Sequence, residues 1–199
     1  MIIFQGCPTG VSTEVIEKEK QQLTAYFADK KEICAWESVL FQLDAKSSVG
    51  FHEGPCDLLL GERFIEETLL GKRFRISPTS FFQTNTRAAE VLYTAIGDCC
   101  TEGDSETILL DLCCGTGTIG LTLASRVKKV IGVEMVEEAI ADAKLNAALN
   151  GIQNVEYHCS KVEDVIDEII KSAGSSPIVA VVDPPRNGLR KSTPSWLLE

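Results

Sequence analysis

The 199 residues leave room for one full domain, or one domain and part of another, and 44% hydrophobic with 24% charged residues is ordinary for a globular protein. Twenty-nine acidic against nineteen basic side chains give a net charge of −10, which excludes a general nucleic-acid-binding surface, since that would be basic. No apolar run approaches the roughly 20 residues of a membrane span. The opening Met-Ile-Ile-Phe-Gln-Gly lacks the basic and long apolar regions of a secretion signal, so the chain is read as intracellular.

Eight cysteines are scattered, two pairs are adjacent (Cys99-Cys100 and Cys113-Cys114), and no C-x-x-C spacing occurs. Reduced thiols are expected rather than disulfides. Two histidines without ligand spacing give no zinc site, and no metal is expected.

In chain order, residues 12 to 28 form an amphipathic helix. Ser12 or Thr13 caps it, and Val15, Ile16, Leu23, Tyr26 and Phe27 are its apolar positions. The charged clusters Lys18-Glu19-Lys20 and Lys30-Lys31-Glu32 read as solvated helix surface. Trp36 to Leu43 and Leu58 to Leu60 read as strands separated by Gly- and Ser-containing turns. Residues 1–72 are therefore expected to be a partial α/β appendage without a large core of its own, and 73–199 the main domain.

A short strand, Phe74 to Ile76, ends at Ser77-Pro78, and a helix starts near Thr84 or Thr86 with Ala88, Val91, Leu92 and Ile96 on its apolar face. Between them lie Phe81, Phe82 and Gln83. Two readings stand: a loop anchored by both aromatics in the core, or a lip over a ligand pocket with Gln83 hydrogen-bonding the ligand.

From residue 107 the alternation is regular. Strand Ile108–Leu112 leads to helix Thr118–Arg126, strand Lys129–Glu134 to helix Val136–Asn150, and strand Val155–His158 to helix Val162–Ser172. A fourth strand, Pro177–Val182, runs into Asp183-Pro-Pro-Arg186. Four strands alternating with three helices predict a parallel sheet covered on both faces. Right-handed crossovers then place the strand C-terminal ends on one edge.

The glycine turn after the first of these strands puts backbone N–H groups where a nucleotide-like ligand can meet them. Gly115, Gly117 and Gly120 also satisfy G-x-G-x-x-G, so a dinucleotide fold is a rival. Three acids sit at strand C-terminal ends: Asp111, Glu134 and Asp183. Glu134 lies where a carboxylate accepts both ribose hydroxyls of either NAD or S-adenosylmethionine. Asp111 discriminates, because a carboxylate beside the glycine turn repels a pyrophosphate and suits a ligand carrying an ammonium and a sulfonium. The rigid Asp183-Pro184-Pro185 turn fits a position facing a reacting methyl group.

Four motifs occur in order: Phe74-Arg-Ile-Ser-Pro-x-x-Phe-Phe-Gln-x-Asn-Thr86, Asp111-Leu-Cys-Cys-Gly-Thr-Gly-Thr-Ile-Gly120, Gly132-Val-Glu134 and Asp183-Pro-Pro-Arg-x-Gly-Leu189. Together, over roughly residues 55 to 189, the chain resembles the RNA uracil-C5 methyltransferase family, most nearly its animal branch acting on the T-loop uridine of tRNA. The resemblance implies a class I, Rossmann-like methyltransferase fold and S-adenosylmethionine as cofactor. It implies contacts at Gln83, Cys113, Gly115, Gly117, Thr118, Glu134 and Asp183, to which the charge argument adds Asp111, and it implies an RNA substrate.

In such a reaction a cysteine thiolate adds at C6 of uracil, C5 attacks the methyl, and a base removes the C5 proton. The resemblance places that cysteine on a strand after Asp-Pro-Pro-Arg and the basic glutamate later still, both beyond Glu199. No catalytic residue is therefore expected here, and Cys113 and Cys114 are read as packing residues of the cofactor loop. The family sheet has seven strands and this chain supplies four, so Ile178–Val182 is expected to be an open edge available for self-association. Rival readings are a non-catalytic cofactor-binding module, a methyltransferase acting on an exocyclic amine, and an NAD enzyme.

Overall fold

The structure, a computed structural model, describes residues 1–30, 36–43, 56–78, 80–100, 106–184 and 188. Three of the expectations above lie outside these residues: the Lys31-Glu32 part of the second charged cluster, the turn at 44–55, and Pro185, Arg186 and Leu189 of the last motif. By internal contacts the chain divides into Met1–Glu66 with Ile76–Thr79, and Glu67–Arg75 with Ser80–Glu199.

The first unit is built on β1 (Ile2–Gly6), α1 (Thr13–Asp29), β2 (Ser38–Leu43) and β3 (Cys56–Gly61). β2 is central, parallel to β1 and antiparallel to β3. The Ser12 Oγ caps α1 by accepting the Val15 N–H at 3.4 Å. Phe27 is the buried residue of α1, its ring 5.5 Å from Phe4 and 5.1 Å from Trp36. Val39, Leu40 and Phe41 of β2 are buried as well. The apolar stripe of α1 is narrower than its sequence suggests, since Val15 and Tyr26 are exposed. β1 was not foreseen at all.

β4 (Ile65–Leu69) and β5 (Lys72–Ile76) form a two-stranded sheet joined by Leu70-Gly71. In the second unit, α2 (Thr86–Cys100) begins where Asn85 Oδ1 accepts the Ala88 N–H at 3.0 Å. There follow β6 (Ile108–Leu112), α3 (Thr118–Leu123), β7 (Lys129–Glu134), α4 (Glu137–Leu149), β8 (Val155–Cys159), α5 (Val162–Ala173) and β9 (Ile178–Val182). The strands pair in the order β8-β7-β6-β9, every pair parallel. α3 is shorter than expected, because its chain tightens to a 3₁₀ turn at Ala124–Arg126.

Strand alternation divides the core in two. Leu109 and Val130 face one side, with Phe74, Tyr93, Ile119, Leu121 and Ala147. Ile108, Leu110, Leu112, Ile131 and Val133 face the other, against Val162, Ile166 and Ile169 of α5. This is the doubly covered parallel sheet expected from the apolar runs. Asp111 shares the face of Leu109, so its carboxyl turns toward α3. Among the described residues β9 is an outer strand of the sheet, as the sequence reading anticipated.

Candidate functional site

β6 ends at Leu112, and the chain turns through Cys113 (φ +64°), Gly115 (φ +54°) and Gly117 (φ +79°) before α3 begins. Left-handed backbone suits glycine and costs a residue with a side chain, so Cys113 holds a strained conformation at the site. The loop is fixed from both ends. Cys114 N–H donates to Val133 O at 3.0 Å, and Gly117 N–H donates to Cys114 O at 2.8 Å. A Cβ on Gly115 would meet nothing within 4 Å, so this part of the loop faces open space, whereas one on Gly117 would come within 2.8 Å of the Tyr157 hydroxyl.

The three strand-end acids come to this loop, as their register requires. Glu134, half-buried at the end of β7, accepts the Gly115 N–H at 3.1 Å on Oε2, and the Met135 and Val136 N–H groups at 2.8 and 3.0 Å on Oε1. Asp183 follows β9, is exposed, and is tethered by its N–H to Leu112 O at 3.3 Å. Asp111 is 1% exposed. Its Oδ2 accepts the Gly120 N–H at 2.8 Å, while its Oδ1 is buried with no partner among the described residues. Burial, and then the nearby Asp183 and Glu134 carboxylates, push its pKa up to about 7 against the Gly120 hydrogen bond. Among the described residues none of the three is paired with a lysine or arginine.

Two expected residues remain, Thr118 and Gln83. Thr118, first in α3, shares its hydroxyl with Tyr93 of α2 at 3.3 Å. Gln83 is half-buried in the loop between β5 and α2. The two aromatics beside it part company: Phe82 packs on Phe74 at 6.1 Å, while Phe81 is 73% exposed, so only one anchors the loop. Ser80 ties the loop to α4 by donating to Asp142 Oδ2 at 2.8 Å. The thiols are poor nucleophiles. Burial and the acids of the site raise Cys113 to about 11 and push Cys114 higher still.

Sequence reasoning missed Tyr93, Tyr157 and the pair Asn146 and Asn150. The last two sit one turn apart, Asn146 fully buried on α4 and Asn150 at its C-cap. Two amides at i, i+4 inside an alanine-rich helix were the available signal. A cleft of about 650 Å³ lined by Lys20, Thr24 and Asp57 lies in the first unit, and another of about 430 Å³ lies on α2 beside Val91. Neither contains any of the strand-end acids.

A parallel sheet in this order, with a glycine loop after its first strand and an acid ending the second, defines a Rossmann-like fold, and the following comparisons make it a methyltransferase domain. A methyltransferase-domain family model matches residues 103–178. A S-adenosylmethionine-dependent methyltransferase from Agrobacterium tumefaciens superposes with TM-score 0.56 at 20% identity, covering 78% of this chain and 50% of that one. The tRNA (uracil-54, C5)-methyltransferase of Pyrococcus abyssi, solved with S-adenosyl-L-homocysteine, does so at 0.62 and 28%, covering 82% of this chain and 38% of that one.

Human tRNA (uracil-5-)-methyltransferase homolog A is 44% identical over 191 residues, 95% of this chain and 30% of its own length. Mouse homolog B is 42% identical over the same share of this chain and 38% of its own length. Over the residues it shares with them, this chain belongs to the RNA uracil-C5 methyltransferase family. It spans about a third of the length of these curated relatives.

Proposed function

We propose that this chain binds S-adenosylmethionine at the C-terminal edge of the β8-β7-β6-β9 sheet, as the cofactor half of a tRNA uracil-C5 methyltransferase. One observation carries the reading. Asp111, Glu134 and Asp183 gather around an open glycine loop, with no basic side chain paired to them among the described residues. Such an edge repels phosphate and attracts a ligand bearing positive charge.

The residues present fit that cofactor. When bound, it supplies an electrophilic methyl group on a sulfonium centre. Glu134 would hold the ribose hydroxyls, with its carboxylate aimed by the three N–H groups it accepts. Cys113, Gly115, Gly117 and Thr118 would line the loop side, and Gln83 and Asp183 would close the edge. Asp111 would act from behind, fixing the start of α3 through Gly120 and adding its charge to the site.

The uracil-side nucleophile is not supplied by Cys113 or Cys114, whose protonated thiols are unsuited to addition at C6. The chain alone is therefore expected not to methylate tRNA, as a transfer assay with labelled cofactor would show.

Calorimetric titration with S-adenosylhomocysteine tests the cofactor reading directly. Micromolar binding that weakens at least about tenfold, about 1.4 kcal/mol, in Glu134→Ala supports it. Absence of binding by the folded wild-type chain would sink it.

A further inference from the structure

Of the three strand-end acids, Asp111 is the one kept from water, and its carboxyl stands there half-satisfied. An ionised carboxylate has about four lone-pair positions. Here one N–H, that of Gly120, reaches one oxygen, and the other oxygen is buried without a partner among the described residues.

Among the described residues, the groups acting on it are neutral or acidic. α3 offers the Gly120 N–H and no titratable side chain, and α2 offers the Tyr93 hydroxyl, held by Thr118. β7 brings Glu134, and the turn after β9 brings Asp183. β8 brings the phenol of Tyr157, itself buried without a partner, and the loop after β6 brings the thiols of Cys113 and Cys114. Among the described residues of these elements no lysine or arginine is paired with it.

We propose that Asp111 is a charge-sensing residue that distinguishes the sulfonium donor from its thioether product, being ionised opposite the first and protonated opposite the second. This rests on the cofactor reading above. The carboxyl is poised near neutrality by burial and by two neighbouring carboxylates, so one added positive charge at the edge tips it. Donor binding then expels a proton from Asp111 to solvent, with no other bond altered. The thioether product carries no charge on sulfur, so the proton returns and the edge loses its attraction for what remains bound. Both ligands carry the same ammonium and carboxylate, so the difference between them isolates the sulfonium.

The test is calorimetric titration of the wild-type chain with S-adenosylmethionine and with S-adenosylhomocysteine, in phosphate and in Tris, across a pH series. Donor binding should release more protons than product binding. The donor-to-product affinity ratio should climb with pH, by up to about tenfold per unit below neutrality, and level off above it. Asp111→Asn, which keeps an oxygen for the Gly120 N–H, should flatten that ratio.

Binding of both ligands with equal proton release and a pH-independent ratio overturns the proposal. So does an excess release that survives unchanged in Asp111→Asn. Failure of both ligands to bind the folded chain would instead overturn the cofactor reading, and this inference with it.

Discussion

The amide of Asn146 meets both backbone groups of Arg75: its Oδ1 accepts the N–H at 2.7 Å, and its Nδ2 donates to the carbonyl at 3.2 Å. One turn later Asn150 repeats the pattern on Arg73, at 2.9 and 2.7 Å. Two residues apart on β5 matches one turn on α4, so the helix presents the strand with what a neighbouring strand would offer. Asn146 Nδ2 also reaches Thr116 O at 3.2 Å, linking β5 to the glycine loop.

Removing that amide takes a hydrogen-bond partner from three backbone groups, one of them buried and two part-buried. Asn146→Ala is therefore expected to lower stability by about 2–4 kcal/mol, and Asn150→Ala by about 1 kcal/mol, because water can replace its more accessible contacts. Urea unfolding monitored by circular dichroism checks both. Equal, small losses would mean that these bonds do not hold β5 in place.

Asp111 makes stability depend on pH, and the sign follows from its raised pKa. The folded chain holds the proton up to about 7, whereas the unfolded chain releases it near the ordinary carboxylate value of 3.8. Stability contributed by this group is thus complete below the unfolded value and is lost as pH rises toward neutrality, by an amount on the order of a few kcal/mol. Asp111→Asn should flatten that part of the thermal-midpoint curve. A wild-type curve with no such decline, identical to that of the variant, would show that the buried carboxyl titrates normally.

Gly120 sits inside α3, where alanine would ordinarily add up to about 1 kcal/mol of helix propensity. Here a Cβ would lie 2.7 Å from Val130 Cγ1 and 2.9 Å from Asp111 Oδ2. Val130 is fully buried and cannot swing aside. Overpacking should win, and Gly120→Ala is expected to cost about 1–3 kcal/mol. A stabilised variant in thermal unfolding would show that α3 can lift off β6.

Thiol reactivity should follow burial and charge. Cys7, Cys99 and Cys159 are exposed and are expected to alkylate first in a short iodoacetamide pulse. Cys113 and Cys114 should lag by roughly a hundredfold or more, since their thiolates are suppressed. Peptide mass mapping gives the order. Early labelling of Cys113 would reveal a thiolate, and with it a nucleophile, in the loop.

The sheet of the second unit was legible because each buried parallel strand is an unbroken apolar run followed by an amphipathic helix. The acids could be placed because strand ends are marked by Gly, Pro and Asp. β1 escaped notice because Ile2–Gly6 is too short to show a period, and its pairing with Val39 to Leu43 is non-local. Val15 and Tyr26 misled for a related reason: an apolar residue states a preference, and only the partner surface decides whether it is met. The contacts of Asn146 span 71 residues, and no local pattern encodes them. Phe81 and Phe82 are adjacent and alike, yet the room beside Phe74 admits one ring.

Asn150 is followed by Gly151, and in that dipeptide a side-chain amide cyclises most readily onto the next backbone nitrogen, glycine having nothing to obstruct it. In the folded chain both reacting partners are engaged: Gly151 N–H bonds Ala148 O at 3.1 Å, and Asn150 Nδ2 holds the carbonyls of Arg73 and Asn146. Each brief fraying at the end of α4 exposes the pair to deamidation. The resulting carboxylate has no hydrogen to offer those carbonyls, so a lesion made in an open moment helps the junction stay open. Stored protein would thus age first where the helix grips the strand, and the accumulation of aspartate and isoaspartate at that residue would serve as a clock for how often the grip loosens.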